Sequence, residues 1–342
     1  MPVYDSVLDL IGDTPIVDVS VLSPHPSVRL LAKLEGQNPA GSVKDRIARA
    51  MIEEAEADGT LTPGRTIIEP SSGNTGIALA MIARIRGYPI KIVLPENVSI
   101  ERRQALEVFG AEIIPSPGGE GSNGAVRLAR QLAYEHPEWV FLYQYANEAN
   151  PRAHYTTTGP EILRDVPDIT HFVAGLGTSG TLMGVGTYLK EHKPDVKVLA
   201  VEPPSGELVQ GLRSLDDGYI PPLFEKWGGY ELLDGKRIVR PRESIEYTRR
   251  LADQCGIFAG LSAGAALAGA VRVAEGVLDG IAESRGGGLA VGPQDGHGDS
   301  DGEVRATIVF VVSDGGWKYL STGVWTGDID EAAADVEGLI VF

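Results

Sequence analysis

The chain has 342 residues, 43% of them apolar, enough for about two domains with separate buried cores. Its 47 acidic against 30 basic residues give a net charge of −17, which repels nucleic acid and anionic membrane surfaces, so a bound anion must be captured locally. No apolar run follows a basic stretch in MPVYDSVLDLIGDTP, so no secretory signal is read there, and runs such as TIVFVV fall short of the roughly 20 residues a membrane helix needs.

The first chemically informative element is NPAGSVKDRIARAMIEEAEADG. Ser42 and Asp45 form an S-x-x-D capping box, and Ile47, Met51 and Ala55 recur on one helical face. Lys44 therefore falls in the first turn, where a cation opposes the helix dipole. That placement disfavours the ammonium form and exposes a neutral amine, as a Schiff-base lysine requires. The competing reading is a solvated lysine beside Asp45. Next, TIIEP, TGIALAMIARIRG and IKIVLP predict strand, helix and strand. The joining segment EPSSGNTG crowds Ser71, Ser72, Asn74 and Thr75 onto a helix N-terminus, a local site able to take a carboxylate. A plain turn is the alternative there.

HFVAG, TLMGVGTYLKEH and VKVLAVEP repeat the strand, helix and strand pattern. Such alternation predicts a parallel α/β architecture, with two sheets facing one cleft and ligands at the carboxyl ends of strands. The intervening GLGTSG fits the dinucleotide pattern G-x-G-x-x-G, and Glu202 stands about 20 positions on, where that pattern expects an acid. The loop alone leaves a pyrophosphate and a smaller phosphate both open. Further along, the only cysteine, Cys255, shares a helical face with Tyr247 and Leu251 and reads as core. A lone cysteine excludes an intrachain disulfide and suits a reducing cytoplasm. In GIFAGLSAGAALAGAV, Ser262 is either an N-cap or a hydroxyl directed at a ligand held at a strand end. The stretch 283–306 is rich in Gly and Asp and predicts a flexible surface loop dispensable for chemistry. Its Asp295, Asp299, Asp301 and Glu303 lack EF-hand spacing, and the six histidines lack H-x-x-x-H spacing, so no metal site is expected.

Taken together, Lys44 in NPAGSVKDR, then SSGNTG, GTSGT and Ser262 in GLSAG resemble the signature set of the cysteine synthases, fold-type II enzymes that use pyridoxal 5′-phosphate (PLP). IGDTP, PENVSIERRQALEVFGAEI and TTTGPEI extend the resemblance over nearly the whole chain. It implies a tryptophan synthase β-like fold of two α/β domains with the active-site cleft between them. The smaller, mobile, substrate-binding domain is expected at 40–150, and the larger, phosphate-binding domain at 1–39 plus 151–342. Lys44 is implied as the residue that carries PLP and moves the α-proton, and Asn74 as the partner of the ring's phenolic oxygen. Gly177, Thr178, Ser179, Gly180 and Thr181 are implied to cradle the single phosphate of PLP, with Ser262 facing the pyridine nitrogen. Ser71, Ser72, Thr75 and Gln144 are implied to hold the substrate carboxylate.

Ser179, Asp13 and Glu148 depart from the glycine, asparagine and proline common in the family. ERRQALEVFGAEI, VAGLGTSGTLMG, GLRSLDDGYIP and WKYLSTG resemble the actinobacterial CysM-type branch, the O-phosphoserine sulfhydrylases. The implied reaction replaces the β-substituent of O-phosphoserine by sulfur through an aminoacrylate, giving L-cysteine. Arg213 is implied as the selector of phosphate over acetate. The nearest alternatives are an O-acetylserine sulfhydrylase using sulfide and a cystathionine β-synthase; a nicotinamide oxidoreductase is the reading from a different class. The branch further implies a homodimer, a thiocarboxylated ubiquitin-like sulfur-carrier partner, and a tail, VEGLIVF, that enters the active site.

Overall fold

In a computed structural model, residues 3–71, 73–284 and 304–339 are described. Ten strands alternate with helices: β1 Ile16–Asp18, β2 Val28–Leu34, β3 Ile67–Pro70, β4 Ile90–Pro95, β5 Glu112–Ser116, β6 Val140–Phe141, β7 His171–Gly175, β8 Lys197–Glu202, β9 Gly235–Ile238 and β10 Ala306–Val312. The helices are α1 Lys44–Ala57, α2 Asn74–Arg86, α3 Ile100–Val108, α4 Gly121–Glu135, α5 Ala149–Ala153, α6 Gly159–Asp165, α7 Gly180–His192, α8 Pro222–Lys226, α9 Pro241–Cys255, α10 Leu261–Ser284 and α11 Ile329–Leu339. A π-helical turn, His154–Thr158, joins α5 to α6, and a 3-10 helix spans Gly316–Thr322.

Two sheets result. One has the order β1-β2-β10-β7-β8-β9, the other β5-β4-β3-β6. Apart from the antiparallel β1 and β2, neighbouring strands run parallel. Every residue of β10 (ATIVFVV) is buried, because the strand is central and both faces are covered. Two mostly parallel sheets alternating with helices match the expected α/β architecture. The predicted TIIEP/IKIVLP and HFVAG/VKVLAVEP units fall in different sheets, as β3/β4 and β7/β8.

Helix α10 packs on the six-stranded sheet, its Ala265, Ala268 and Ala270 fully or nearly fully buried among residues of β2, β8 and β10. Part of this helix, Leu261–Asp279, is long and apolar enough to cross a bilayer, with mean hydropathy 1.4, which the sequence reading did not single out. It is 72% buried within the protein, so its apolar character is explained by core packing. The helix continues through Ser284 and β10 starts at Ala306, so both ends of the expected 283–306 loop are regular structure. Residues 285–303, and with them the four acids of that stretch, lie outside the described residues. Cys255 ends α9 half-buried at the edge of the core formed around α10, with its thiol pushed up by burial.

The expected capping box is replaced by another arrangement. Helix α1 starts at Lys44, whose N–H donates to Ser42 Oγ at 3.2 Å. The Asp45 carboxylate accepts from Ala40 N at 2.5 Å and from Ser42 Oγ at 3.3 Å, not from the Ser42 backbone. The tight NPAGS turn lets Asp45 close the loop before the helix. Helix α1 is then locked by Arg46, buried at 3% exposure. Its guanidinium donates to Glu35 (2.7 and 2.8 Å), Glu161 (2.6 and 2.7 Å) and Thr14 (3.2 Å), while Lys33 meets Glu161 at 2.7 Å.

Burial alone would raise the Glu35 and Glu161 carboxyls, but Arg46 overrides it and holds both below the ordinary 4.5. Carboxylates depressed in the folded state stabilise it above their unfolded value, and this contribution disappears as pH falls through the folded value. Arg46→Met should therefore lose about 3–5 kcal/mol of stability in urea unfolding at pH 7, by stranding the buried Glu35 carboxylate and leaving Glu161 to Lys33 alone. The gap to wild type should narrow below pH 4.5; a gap independent of pH would contradict the ion-pair account.

Candidate active site

A cleft enclosing about 1120 Å³, part of it open to solvent, lies between the carboxyl ends of the two sheets. Lys44, Ser71, Asn74, Thr75, Gln144, Gly177, Thr178, Ser179, Gly180, Thr181, Arg213 and Ser262 all line it. Of the residues predicted for the site, only Ser72 is not placed, because it lies outside the described residues.

Lys44 projects from the first residue of α1. Burial pushes its ammonium down to about 8; Asp314 and Glu35 oppose this, and Lys318 reinforces it. That leaves about a tenth of the amine neutral at pH 7, far more than an exposed lysine has, and the neutral form is what attacks a carbonyl or takes a proton. At the N-terminus of α2, Ser71 Oγ accepts from Gly76 N (2.9 Å), and Thr75 Oγ1 donates to Gln144 Oε1 (2.7 Å). Gln144 is itself presented by Glu69, whose two carboxyl oxygens accept from Tyr143 N (2.7 Å) and Gln144 N (3.0 Å). Burial pushes the Glu69 carboxyl up to about 7, against the pull of those two N–H groups. Tyr143 sits at φ 52°, a left-handed conformation uncommon for a non-glycine residue, and the Glu69 bond holds it there.

The loop after β7 is shaped for a small anion. Ser179 adopts φ 72°, so it keeps the left-handed backbone that the family's glycine takes freely, and its buried Oγ has no partner among the described residues. A Cβ on Gly177 would meet Gly211 O at 2.5 Å, and one on Gly180 would meet Asn150 Oδ1 at 1.8 Å, so neither position has room for a side chain. Asn150 fastens the loop by donating to Thr178 Oγ1 and to Gln144 O, each at 2.9 Å. Thr181 Oγ1 lies 3.1 Å from His154 Nε2 in the π-helical turn, and Thr158 Oγ1 lies 2.9 Å from the other ring nitrogen. Burial holds that imidazole well below its usual range, so it is neutral. An orphaned hydroxyl at the start of α7 and a loop without side-chain bulk fit a phosphate monoester.

Glu202 does not serve as a ribose acceptor: fully buried, it accepts from Leu215 N (3.0 Å) and pairs with Lys236 (2.5 Å). Ser262 is the second residue of α10 rather than its N-cap, and it lines the cleft beside Gly211. Asp13, like Ser179, has positive φ (44°), and Glu148 pairs with Lys226 and Arg152 on the surface.

Sequence reasoning missed Asp314, Lys318 and Tyr319, which form a buried cluster with Asn74. A lysine and an aspartate four apart look like an ordinary exposed helical pair, and nothing local in SDGGWKYL signals their burial. Arg102, also in the cleft wall, donates to Gln210 Oε1 at 2.8 Å and lies 5.2 Å over the Tyr319 ring.

Fold and cleft together define a PLP-dependent enzyme of fold type II. A sequence model of the pyridoxal-phosphate dependent enzyme family matches residues 7–281. Cysteine synthase B of Escherichia coli (strain K12) is 41% identical over 316 residues, covering 92% of this chain and 94% of that protein. The crystal structure of O-ureido-L-serine synthase superposes with a TM-score of 0.80 at 36% identity, covering 97% of this chain and 100% of that one. An O-acetylserine dependent cystathionine beta-synthase from Helicobacter pylori gives 0.81 at 33% identity, over 95% and 100%. The chain belongs to the cysteine synthase family, and its cofactor is PLP.

In the cofactor-free protein, labelling of Lys44 by an amine-directed acetylating reagent should titrate with a midpoint near pH 8, read by peptide mass spectrometry. PLP should protect it. A midpoint above 10, like that of an exposed lysine, would mean the site does not desolvate it.

Proposed function

We propose that this enzyme makes L-cysteine by replacing the phosphate of O-phospho-L-serine with sulfur. The observation that carries the choice of substrate is Arg213, a cation in the cleft wall of a protein of net charge −17. Its backbone N–H donates to Leu176 O at 2.7 Å, just before the phosphate loop, and its guanidinium lies over the rings of Tyr145 (5.1 Å) and Tyr219 (5.2 Å). The guanidinium also donates to Tyr145 Oη at 3.3 Å, and the planar fork of an arginine can hold a phosphate dianion through two oxygens.

Bound PLP supplies the electron sink that lets the substrate lose its α-proton. The residues of the chain do the rest. In this reading Ser71, Ser72, Thr75, Gln144 and the start of α2 hold the substrate carboxylate, and so fix which Cα bond faces Lys44. Lys44 Nζ, kept partly neutral by burial, takes the α-proton. The Cβ–O bond breaks, and phosphate leaves toward Arg213 with the bonding electrons. An anionic sulfur donor then forms the S–Cβ bond, and Lys44 returns the proton to Cα; where the donor is a thiocarboxylate, water must afterwards cleave its acyl–sulfur bond, releasing the carrier carboxylate and L-cysteine. Asn74 and the loop of Gly177, Thr178, Ser179, Gly180 and Thr181 hold the cofactor's oxygen and phosphate. Ser262 at the ring nitrogen, being neutral, favours β-elimination over transamination.

We further propose that residues 40–150 form the smaller, moving unit around the four-stranded sheet. The enzyme is proposed to act in the cytoplasm as a homodimer, with sulfide or a thiocarboxylated ubiquitin-like carrier as donor. The O-acetylserine dependence of the Helicobacter pylori neighbour motivates acetylserine as the alternative substrate.

Two variants test the reading. Lys44→Ala should abolish cysteine formation, and turnover near wild type would refute its role. Arg213→Ala should lower kcat/KM for O-phosphoserine about 10- to 150-fold, the loss of one charged contact, while sparing O-acetylserine. Equal losses on both substrates would make Arg213 structural, and a wild type that prefers acetylserine would overturn the phosphoserine assignment.

A further inference from the structure

The buried cluster behind Asn74 has no role in the reaction as derived so far. Lys318, with a fully buried side chain, places its ammonium 2.5 Å from Asn74 Oδ1, 3.1 Å from Gly41 O and 3.4 Å from Asp314 Oδ2. Three donors meet three acceptors, so Lys318 keeps none for a ligand. Asp314 Oδ2 also accepts from Asn74 Nδ2 (2.9 Å) and from Tyr319 OH (3.0 Å). A side chain at Gly260 would strike Asp314 Oδ1 at 2.0 Å, so only glycine leaves room for Asp314 there.

This cluster dictates which way round the Asn74 amide sits. An ammonium only donates and a carboxylate only accepts, so the amide oxygen must face Lys318 and the nitrogen must face Asp314. An amide nitrogen carries two N–H groups. One is spent on Asp314, and Asn74 lines the cleft in which Lys44 stands. We propose that Lys318 and Asp314 are positioning residues that lock the Asn74 amide so that its second N–H is presented to the cleft, as a donor for the phenolic oxygen of PLP. Flipped by half a turn, Asn74 would offer an acceptor to an oxygen that carries negative charge. The proposal rests on the family's use of PLP and on Lys44 as its attachment point.

The cluster also ties the two halves of the site together. Asp314 follows the central strand of the six-stranded sheet, Asn74 starts the helix that leaves the four-stranded sheet, and Gly41 precedes Lys44 by three residues. The charges facing Lys44 are Asp314 and Glu35, which favour its ammonium, and Lys318, which opposes it. Burial pushes the Lys318 ammonium down; Asp314 and Asp45 oppose this, and Arg102 reinforces it. Removing the Lys318 charge while keeping Asp314 should therefore raise the pH at which Lys44 becomes reactive.

The test uses PLP binding in a Lys44→Ala background, where no covalent bond masks the contacts. Lys318→Met should weaken PLP about tenfold there, whereas in Lys44→Ala/Asn74→Ala the same change should alter affinity less than about twofold, since the amide it orients is gone. Because Met leaves Asp314 unpaired, Lys318→Met/Asp314→Asn, which removes both charges, is run in parallel and should show the same dependence on Asn74. In protein with Lys44 intact, Lys318→Met should also move the Lys44 labelling midpoint upward. An unchanged PLP affinity, or an equal loss with and without Asn74, would overturn the proposal. PLP that fails to protect wild-type Lys44 from labelling would instead refute the attachment site itself, a separate result.

Discussion

The site depends on one buried arginine. Arg46 stands two residues after Lys44 on the first turn of α1 and is held between Glu35, at the end of β2, and Glu161, on α6. Two carboxylates that burial would otherwise neutralise are kept charged by it, and together they fix the angle at which α1 enters the cleft. Such a cluster is costly to bury and costly to break, so the helix has little freedom to tilt or slide. Lys44 inherits that rigidity. Its surroundings are dry enough to lower its ammonium to about 8 without letting the side chain wander.

A second constraint follows from net charge. With −17 overall, the protein offers an anion no general attraction, so each anionic group needs its own local donors. The cleft offers candidates on different elements: the start of α7, where the Ser179 hydroxyl has no partner among the described residues, the start of α2, and the Arg213 side chain proposed for this role. Parallel strands bring the starts of helices to the same edge of a sheet, so two sheets facing each other bring two such edges together. Two small anions and a lysine can then be handled in one space.

Much of this was legible in the chain. Hydrophobic periodicity marks the strand and helix units of both sheets, and the motifs around Lys44, Asn74, the loop after β7 and Ser262 stand out by their local composition. Side chains that face a common ligand sit in loops of distinctive composition, and composition is local. The misreadings were local too. Ser42 and Asp45 have capping-box spacing, yet the chain turns back far enough for Asp45 to close on Ala40 instead. The apolar length of Leu261–Asp279 emerges only because the segment forms one continuous helix, since its small and charged residues interrupt any long apolar run.

What the sequence determined by itself is the class of chemistry: a lysine at a helix start, donor-rich turns and a glycine loop, each recognisable because neighbouring residues create it. Only the tertiary structure decided the fate of residues whose meaning depends on distant partners. Glu202, placed by spacing as a ribose acceptor, is occupied by Lys236 and Leu215 N. Asp314 and Lys318, an unremarkable pair by spacing, are buried against Asn74, more than 200 residues away in the chain. Burial and hydrogen-bond direction arise when separate segments close around a group, and no window along the chain contains that information.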